Sequence, residues 1–302
     1  DCREEITPHH FAGAPQLSRG CLLAPYWKNA DRMNSGIDVV KIRARGASYV
    51  AEARIAQMMK WKGIIAIVAI GNPLFYLVAI GIGIGVLVNE NSGTSGTGGV
   101  EYITFIAPAL LASAALTGAL DEAMFPVMEG FKWRRLFYAI NSTPISPAQI
   151  VMGIFLGAMV RVVFTVVCYW ALLIAFGIVT FTQSWDVIPV TVFAAGAFAA
   201  IIMGVTARVK NEDHFMTVLN RMIIMPMFLF SGTFFPLSTM PIFIQPIGWI
   251  SPLWHATELG RYFSYGYPIS TTMLLIHFGY LIGMMALGFK IANKAFAVRL
   301  AK

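Results

Sequence analysis

Long apolar runs separated by short polar ones set the pattern of this chain. Roughly 17 to 25 apolar residues, wound as a helix rising about 1.5 Å per residue, are enough to cross a hydrocarbon core about 30 Å thick. Six runs reach that length, at about 63–88, 102–122, 147–178, 187–207, 215–235 and 270–289. The first carries Asn72-Pro73, which removes a backbone donor and predicts a kink. Near its far end Gly81, Gly83 and Gly85 lack the strand and acidic partner of a dinucleotide loop. The spacing of Gly81 and Gly85 instead leaves a smooth helix face for close helix contact. The second run is uncharged for 19 residues from Tyr102 to Leu120 and reaches the inner face at Asp121 and Glu122. Ser146, Pro147 and Gln149 form a capping-box signature that starts the third run.

Between Arg221 and Glu258 lie 36 uncharged residues punctuated by Pro226, Pro236, Pro241, Pro246 and Pro252. One helix does not tolerate that spacing. The pattern predicts a span ending near Phe235, then two short helices at about 241–250 and 252–265. Broken helices at membrane depth survive only where protein or a water-filled cavity satisfies their backbone, so this pair is expected to form a re-entrant hairpin over the outer mouth. The fold class is therefore an all-α polytopic membrane protein with six transmembrane helices and an outer helical hairpin between the fifth and sixth. Residues 1–45 show no sustained periodicity and read as a loosely ordered tail in which His9 and His10 are surface histidines. Residues 46–62 carry Met58, Met59 and Trp61 beside Lys60 and Lys62 and read as an interfacial helix, with a cytoplasmic extension of the next helix as the alternative. The transmembrane domain is 63–302.

Composition agrees with the pattern: 57% of residues are hydrophobic and 12% charged, against roughly a quarter charged in soluble domains. The net charge of +7 is not a nucleic-acid footprint, because 20 of the 22 basic residues fall on one side of the six-span topology. Ten precede residue 63; Lys132, Arg134 and Arg135 lie in the first inner loop; Arg208, Lys210 and Arg221 surround the second; four close the chain. Such loops stay in the cytoplasm, which places both termini there. His214 belongs to the second loop, as do Glu212 and Asp213. The first 25 residues lack the apolar core and cleavage site of a removable signal peptide. Cys2, Cys21 and Cys168 have no ligand or disulfide spacing.

No phosphate loop, His-Glu-x-x-His or Gly-x-Ser-x-Gly occurs, so the chain holds no catalytic residues, metal or nucleotide of its own. His255 and Glu258 are three apart and read as an interfacial hydrogen-bonded pair, while His277 reads as a satisfied packing histidine. Arg161 lies about 21 Å along the third helix, where a guanidinium must face protein or a cavity. Asp186 and Glu258 are the acidic candidates that would tie it to the outer hairpin, with snorkelling to outer headgroups as the alternative. An ion-coupled carrier or channel would require more ionisable residues within the spans, and a membrane-embedded enzyme a cluster of Asp, His or Glu.

Three segments carry a resemblance: Glu101-Tyr102-Ile103-Thr104-Phe105-Ile106-Ala107-Pro108, the inner loop with Phe125-Pro126-Val127-Met128 and Phe131-Lys132-Trp133-Arg134-Arg135, and Phe230-Ser231-Gly232-Thr233-Phe234-Phe235-Pro236-Leu237. With the hairpin from Ser251 to Arg261, the chain resembles ABC-2 type ABC-transporter permeases over about 46–302, nearest the branch of nodulation lipo-oligosaccharide and daunorubicin-type drug exporters. The resemblance implies a permease in the bacterial plasma membrane, pairing with a second permease, identical or paralogous, and with two ATPase subunits that bind ATP and Mg. It implies a coupling helix within about 127–140, with Glu129, Lys132, Trp133, Arg134 and Arg135 as ATPase contacts. It further implies a seam lined by the second and fifth spans, with Phe228, Phe230, Phe234 and Phe235 as an outer hydrophobic gate and Arg161 and Glu258 on the path. The expected cargo is amphiphilic or hydrophobic: lipid, glycolipid or drug.

Overall fold

Apolar side chains at most positions leave these helices nothing polar to offer except their ends, so they bury against one another or face lipid. The computed structural model describes residues 39–92, 97, 99–209 and 215–301, and its compact unit runs from Arg43 to Lys302. Cys2, Cys21, His9, His10, Lys210, Glu212, Asp213 and His214 lie outside the described residues, as does most of the 1–45 tail. Among the described residues there is no strand.

Helix α1, Val39–Met59, is followed by a turn at Lys60 and Trp61 and then by α2, Lys62–Glu90, which contains Pro73 and a π-type stretch at Leu77–Ile84. Helix α3, Tyr102–Met128, runs into a π turn, Glu129–Trp133, and after a break comes the short α4, Leu136–Asn141. Helix α5, Pro147–Ala175, starts with the expected capping box: the Gln149 N–H donates to the Ser146 hydroxyl and Gln149 Oε1 accepts from the Ser146 N–H. Helix α6 is Val187–Thr206 and α7 is Leu219–Phe230, preceded by one turn at Phe215–Val218. The chain ends in α8, Gln245–Ile250, α9, Pro252–Tyr265, and α10, Thr271–Leu300.

Five of these, α2, α3 with its π turn, α5, α6 and α10, are long and apolar enough to cross a membrane. Six were expected. The difference lies at 215–235, where helix stops at Phe230 and Gly232 turns the chain with φ of +71°, leaving α7 with its leading turn about 24 Å long. The second span also departs from expectation, since its helix continues past Glu122 to Met128. The carboxylate is neutralised within the bundle, so it does not mark a helix end. Likewise α10 runs on to Leu300 rather than stopping near Phe289.

Helices α3 and α6 form the centre, each with 72% of its most apolar stretch buried, and α5, α9 and α10 pack around them. Small residues make this possible: Ala200 and Gly204 of α6 meet Gly288 and Ala292 of α10. A Cβ added at Gly288 would lie 2.6 Å from the backbone of Ala200 and Ile201. On the other flank α1 lies along the start of α5, where a Cβ on Gly153 would meet Val50 at 2.5 Å. Gly81 and Gly85 do face another helix, meeting Ile103 and Tyr102 at the start of α3.

Candidate functional site

A cavity of about 460 Å³ opens between α2, α3, α5 and α7, within the size range of small-molecule sites. Ile65, Val68, Pro73, Leu110, Ile224 and Met225 give it apolar walls. Asn72, Ser113, Thr117, Thr165 and Tyr169 supply amide and hydroxyl groups, and Asp121, Arg161 and Arg221 line one end. The Ser113 and Tyr169 hydroxyls are buried and have no hydrogen-bond partner among the described residues. The opposite end is aromatic: Phe228 packs edge-on to Phe234 at 5.1 Å and to Tyr76 at 6.1 Å. From Leu110 to Asp121 the lining of α3 spans about 16 Å.

Arg161 sits midway along α5, and its partner corrects the expectation of a tie to the outer hairpin. Its Nη1 donates to Glu122 Oε1 at 2.5 Å, whereas Glu258 pairs with Arg261. The reason is the length of α3. By continuing as helix beyond Glu122, it holds that carboxylate at the level of Arg161. A second guanidinium reaches the same group, with Arg54 Nη2 at 2.8 Å from Glu122 Oε2. Arg54 also lies 3.8 Å from Glu129, which accepts from Gln57 at 3.1 Å and forms an ion pair with Arg134 at 3.1 Å.

The loop after α3 is built around aromatics. Phe131, Phe137 and Phe296 form a cluster with centroids 4.7 to 5.4 Å apart. The Arg299 guanidinium lies 4.3 Å from the Phe131 ring while donating to the carbonyls of Ala207 and Val209. Glu129, Lys132 and Trp133 fall in the π turn, and Arg134 and Arg135 in the break before α4; Arg135 has φ of +54°. Helix after the π turn is thus confined to Leu136–Asn141, and Trp133 and Arg134 are well exposed. Phe131 and Phe137 were not singled out from sequence as the anchors of this loop. Their spacing from Phe296 in the chain hides the cluster.

At the other end, Arg261 is the largest fully buried side chain among the described residues, 1% exposed. Its Nη1 donates to Glu258 at 2.9 Å, Nη2 to the Gly232 carbonyl at 2.7 Å and Nε to the Phe105 carbonyl at 3.3 Å, and its guanidinium carbon lies 3.7 Å from the Phe105 ring centroid. One side chain thereby joins α9, the start of α3 and the segment after α7. His255 does not pair with Glu258. Its Nδ1 meets Nδ1 of His277 at 2.7 Å, its Nε2 is 3.0 Å from the Trp249 carbonyl, and its ring stacks on Tyr280. For Nδ1 to meet Nδ1, one ring must donate and the other accept. The bond therefore needs at least one neutral ring. His277 is a satisfied packing histidine, as expected. Phe230 and Phe235 flank the break after α7, with Phe235 44% exposed.

The ABC-2 type transporter family model matches residues 48–265, from α1 through α9. The chain belongs to that family. Nodulation protein J of Rhizobium meliloti (strain 1021) is 26% identical over 250 residues, covering 82% of this chain and 90% of the relative. Nodulation protein J of Rhizobium leguminosarum bv. viciae is 27% identical over 267 residues, covering 87% and 99%. As an ABC-2 transporter, the chain is a transmembrane permease component and not the nucleotide-binding subunit. The family match takes in the cavity, the Arg54–Glu122–Arg161 cluster and the Arg261 knot.

Proposed function

We propose that this chain is the permease subunit of an ATP-driven exporter of the bacterial inner membrane, which pairs with a second permease and two ATPase subunits and moves an amphiphile out of the cytoplasm or inner leaflet. The observation that carries this is the cavity. Its apolar walls suit an acyl or other apolar tail, and its hydroxyls, amides and charged end suit a polar head. The similarity to nodulation protein J favours a lipo-oligosaccharide or other glycolipid over a small drug. Alternating access opens the cavity first at its charged end and then at its aromatic end, where Phe228, Phe230, Phe234 and Phe235 act as the gate. The hairpin α8 and α9 sits over that outer end as a re-entrant cap.

The ATPase grips the loop from Glu129 to Asn141. Trp133, Arg134 and Arg135 are the contact residues, because aromatic and Arg side chains are the preferred anchors of protein interfaces. The buried Phe131, Phe137 and Phe296 cluster makes the loop a stiff handle, so that a push on it reaches α3 and α10 together. The test is a joint Arg134→Glu and Arg135→Glu change in the chain purified with its ATPase. The expected result is loss of the complex, or at least a tenfold fall in ATP-dependent transport, since reversing interface charges costs several kcal/mol. Transport by the chain alone in vesicles under a proton or sodium gradient would overturn the reading.

A further inference from the structure

Five charged groups of alternating sign run from the cavity to the loop. In order they are Arg161, Glu122, Arg54, Glu129 and Arg134, contributed by α5, α3, α1, the π turn and the break after it. Arg161 lines the cavity, and the Arg134 side chain at the other end is 71% exposed. Between them Glu122 is 4% exposed, and each of its oxygens is taken by a different arginine. Arg54 is divided in the same way: Nη2 is held by Glu122, while Nη1 donates to Gln57 at 2.9 Å and faces Glu129, to which Gln57 also donates.

We propose that Arg54, on the helix before the first spanning helix, is a positioning residue that makes the loop respond to what fills the cavity, by sharing Glu122 with Arg161. This rests on the permease reading above. One carboxylate carries one negative charge, and two guanidinium groups compete for it in a low-dielectric setting where each pairing is strong. A cargo oxygen that engages Arg161 weakens its hold on Glu122. Arg54 then takes the larger share of that carboxylate and leaves Glu129, and Glu129 is released to Arg134 at the loop. Coupling of this kind is reciprocal, so whatever grips Arg134 also alters how firmly Arg161 is held at the cavity. The sequence contains the elements of this chain, but α1 would read as peripheral to the transmembrane domain without Arg54 reaching 68 positions along the chain to Glu122.

The experiment is a double-mutant cycle read at the loop. The full chain, with Cys2, Cys21 and Cys168 changed to Ser, carries an environment-sensitive fluorophore on Leu136→Cys, an exposed position. It is placed in nanodiscs of phosphatidylethanolamine and phosphatidylglycerol, without and then with its ATPase. Arg161→Gln mimics release of Glu122 at the cavity and is expected to shift the emission; in an Arg54→Gln background the same change is expected to leave it unmoved. With the ATPase bound, Arg161→Gln is expected to alter ATP turnover about threefold when Arg54 is present and not when it is absent, the range of coupling seen between residues that share a partner. Arg54→Lys preserves charge but offers one ammonium where a fork bridges two carboxylates. It is expected to fold and still to lose the coupling, which covers the case in which Arg54→Gln does not assemble. Equal emission shifts with and without Arg54, or with Lys at that position, overturn the proposal. Failure of any ATPase to bind the unmutated chain overturns the permease reading instead, and the nanodisc measurement without ATPase is read independently of it.

Discussion

Arg261 and Arg161 illustrate two ways of keeping a guanidinium inside an apolar bundle. Arg261 spends its donors on one carboxylate and on carbonyls freed by irregular backbone at Gly232 and at the start of α3, with the Phe105 ring beneath it. Arg261→Met is therefore expected to destabilise the chain by about 3 to 5 kcal/mol, because the partly buried Glu258 loses its counter-ion and the Gly232 and Phe105 carbonyls lose their donor. Thermal unfolding in detergent measures it, and Arg261→Lys should rescue little, since an ammonium cannot reproduce the fork. In the sequence Arg261 is visible only as a basic residue on the wrong side of the topology. Its i to i+3 spacing from Glu258 is readable, but its carbonyl acceptors are not. Arg161 was readable as a residue needing a partner, and the partner was misplaced because a charge at Glu122 looks like the end of a helix. His255 gives a pH dependence. Burial, and secondarily His277, push its ring down to about 4, against the pull of the Trp249 carbonyl. The folded value lies below the ordinary 6.5, so the unfolded chain binds more protons between the two. The contribution is complete above pH 6.5 and is lost as pH falls toward about 4. Melting temperature should drop between pH 7 and pH 5, and His255→Gln should flatten that slope.

At the scale of elements, helix starts were the most legible feature and helix ends the least. Ser146 with Gln149 announces α5 by local chemistry that no tertiary contact needs to complete. The ends of α3 and α10 depend on where neighbouring helices can neutralise Glu122 or accept Arg299, which a single segment does not encode. Helix α7 was drawn too long because hydropathy continues through Phe234 and Phe235 while the backbone turns at Gly232. Packing between α6 and α10 rests on missing side chains. Gly288→Leu is expected to separate the two helices at a cost of about 1 to 3 kcal/mol or more, since the added atoms meet backbone rather than a movable side chain. Gly283→Leu on the same helix meets nothing within 4 Å and should be silent. Thermal stability and monodispersity of the two variants, side by side, decide this.

For the molecule as a whole, the alternation of apolar and polar runs revealed the membrane class, and grouping of charge anticipated what the helix ends do. Arg54, Arg134 and Arg299 meet the π turn, the end of α6 and the end of α10 at one end of the bundle, while Arg261 and the His255 pair hold the other. The cavity was not legible, because its lining comes from four helices and its polar groups are scattered singly among them. The contact between α1 and the interior charge cluster, with its packing along α5, makes the segment before the first span part of the same machine.

Of the helices that cover the central α6, α10 meets it most extensively and leaves the ribosome more than sixty residues after it. During synthesis its row of alanines and glycines must therefore wait in the bilayer against lipid tails, too narrow to be filled by them as well as by a helix. A ribosome that stops before Thr271 would release a chain whose central strut lacks the companion on its Gly204 side, and quality-control proteases that survey the membrane would meet that bare groove first.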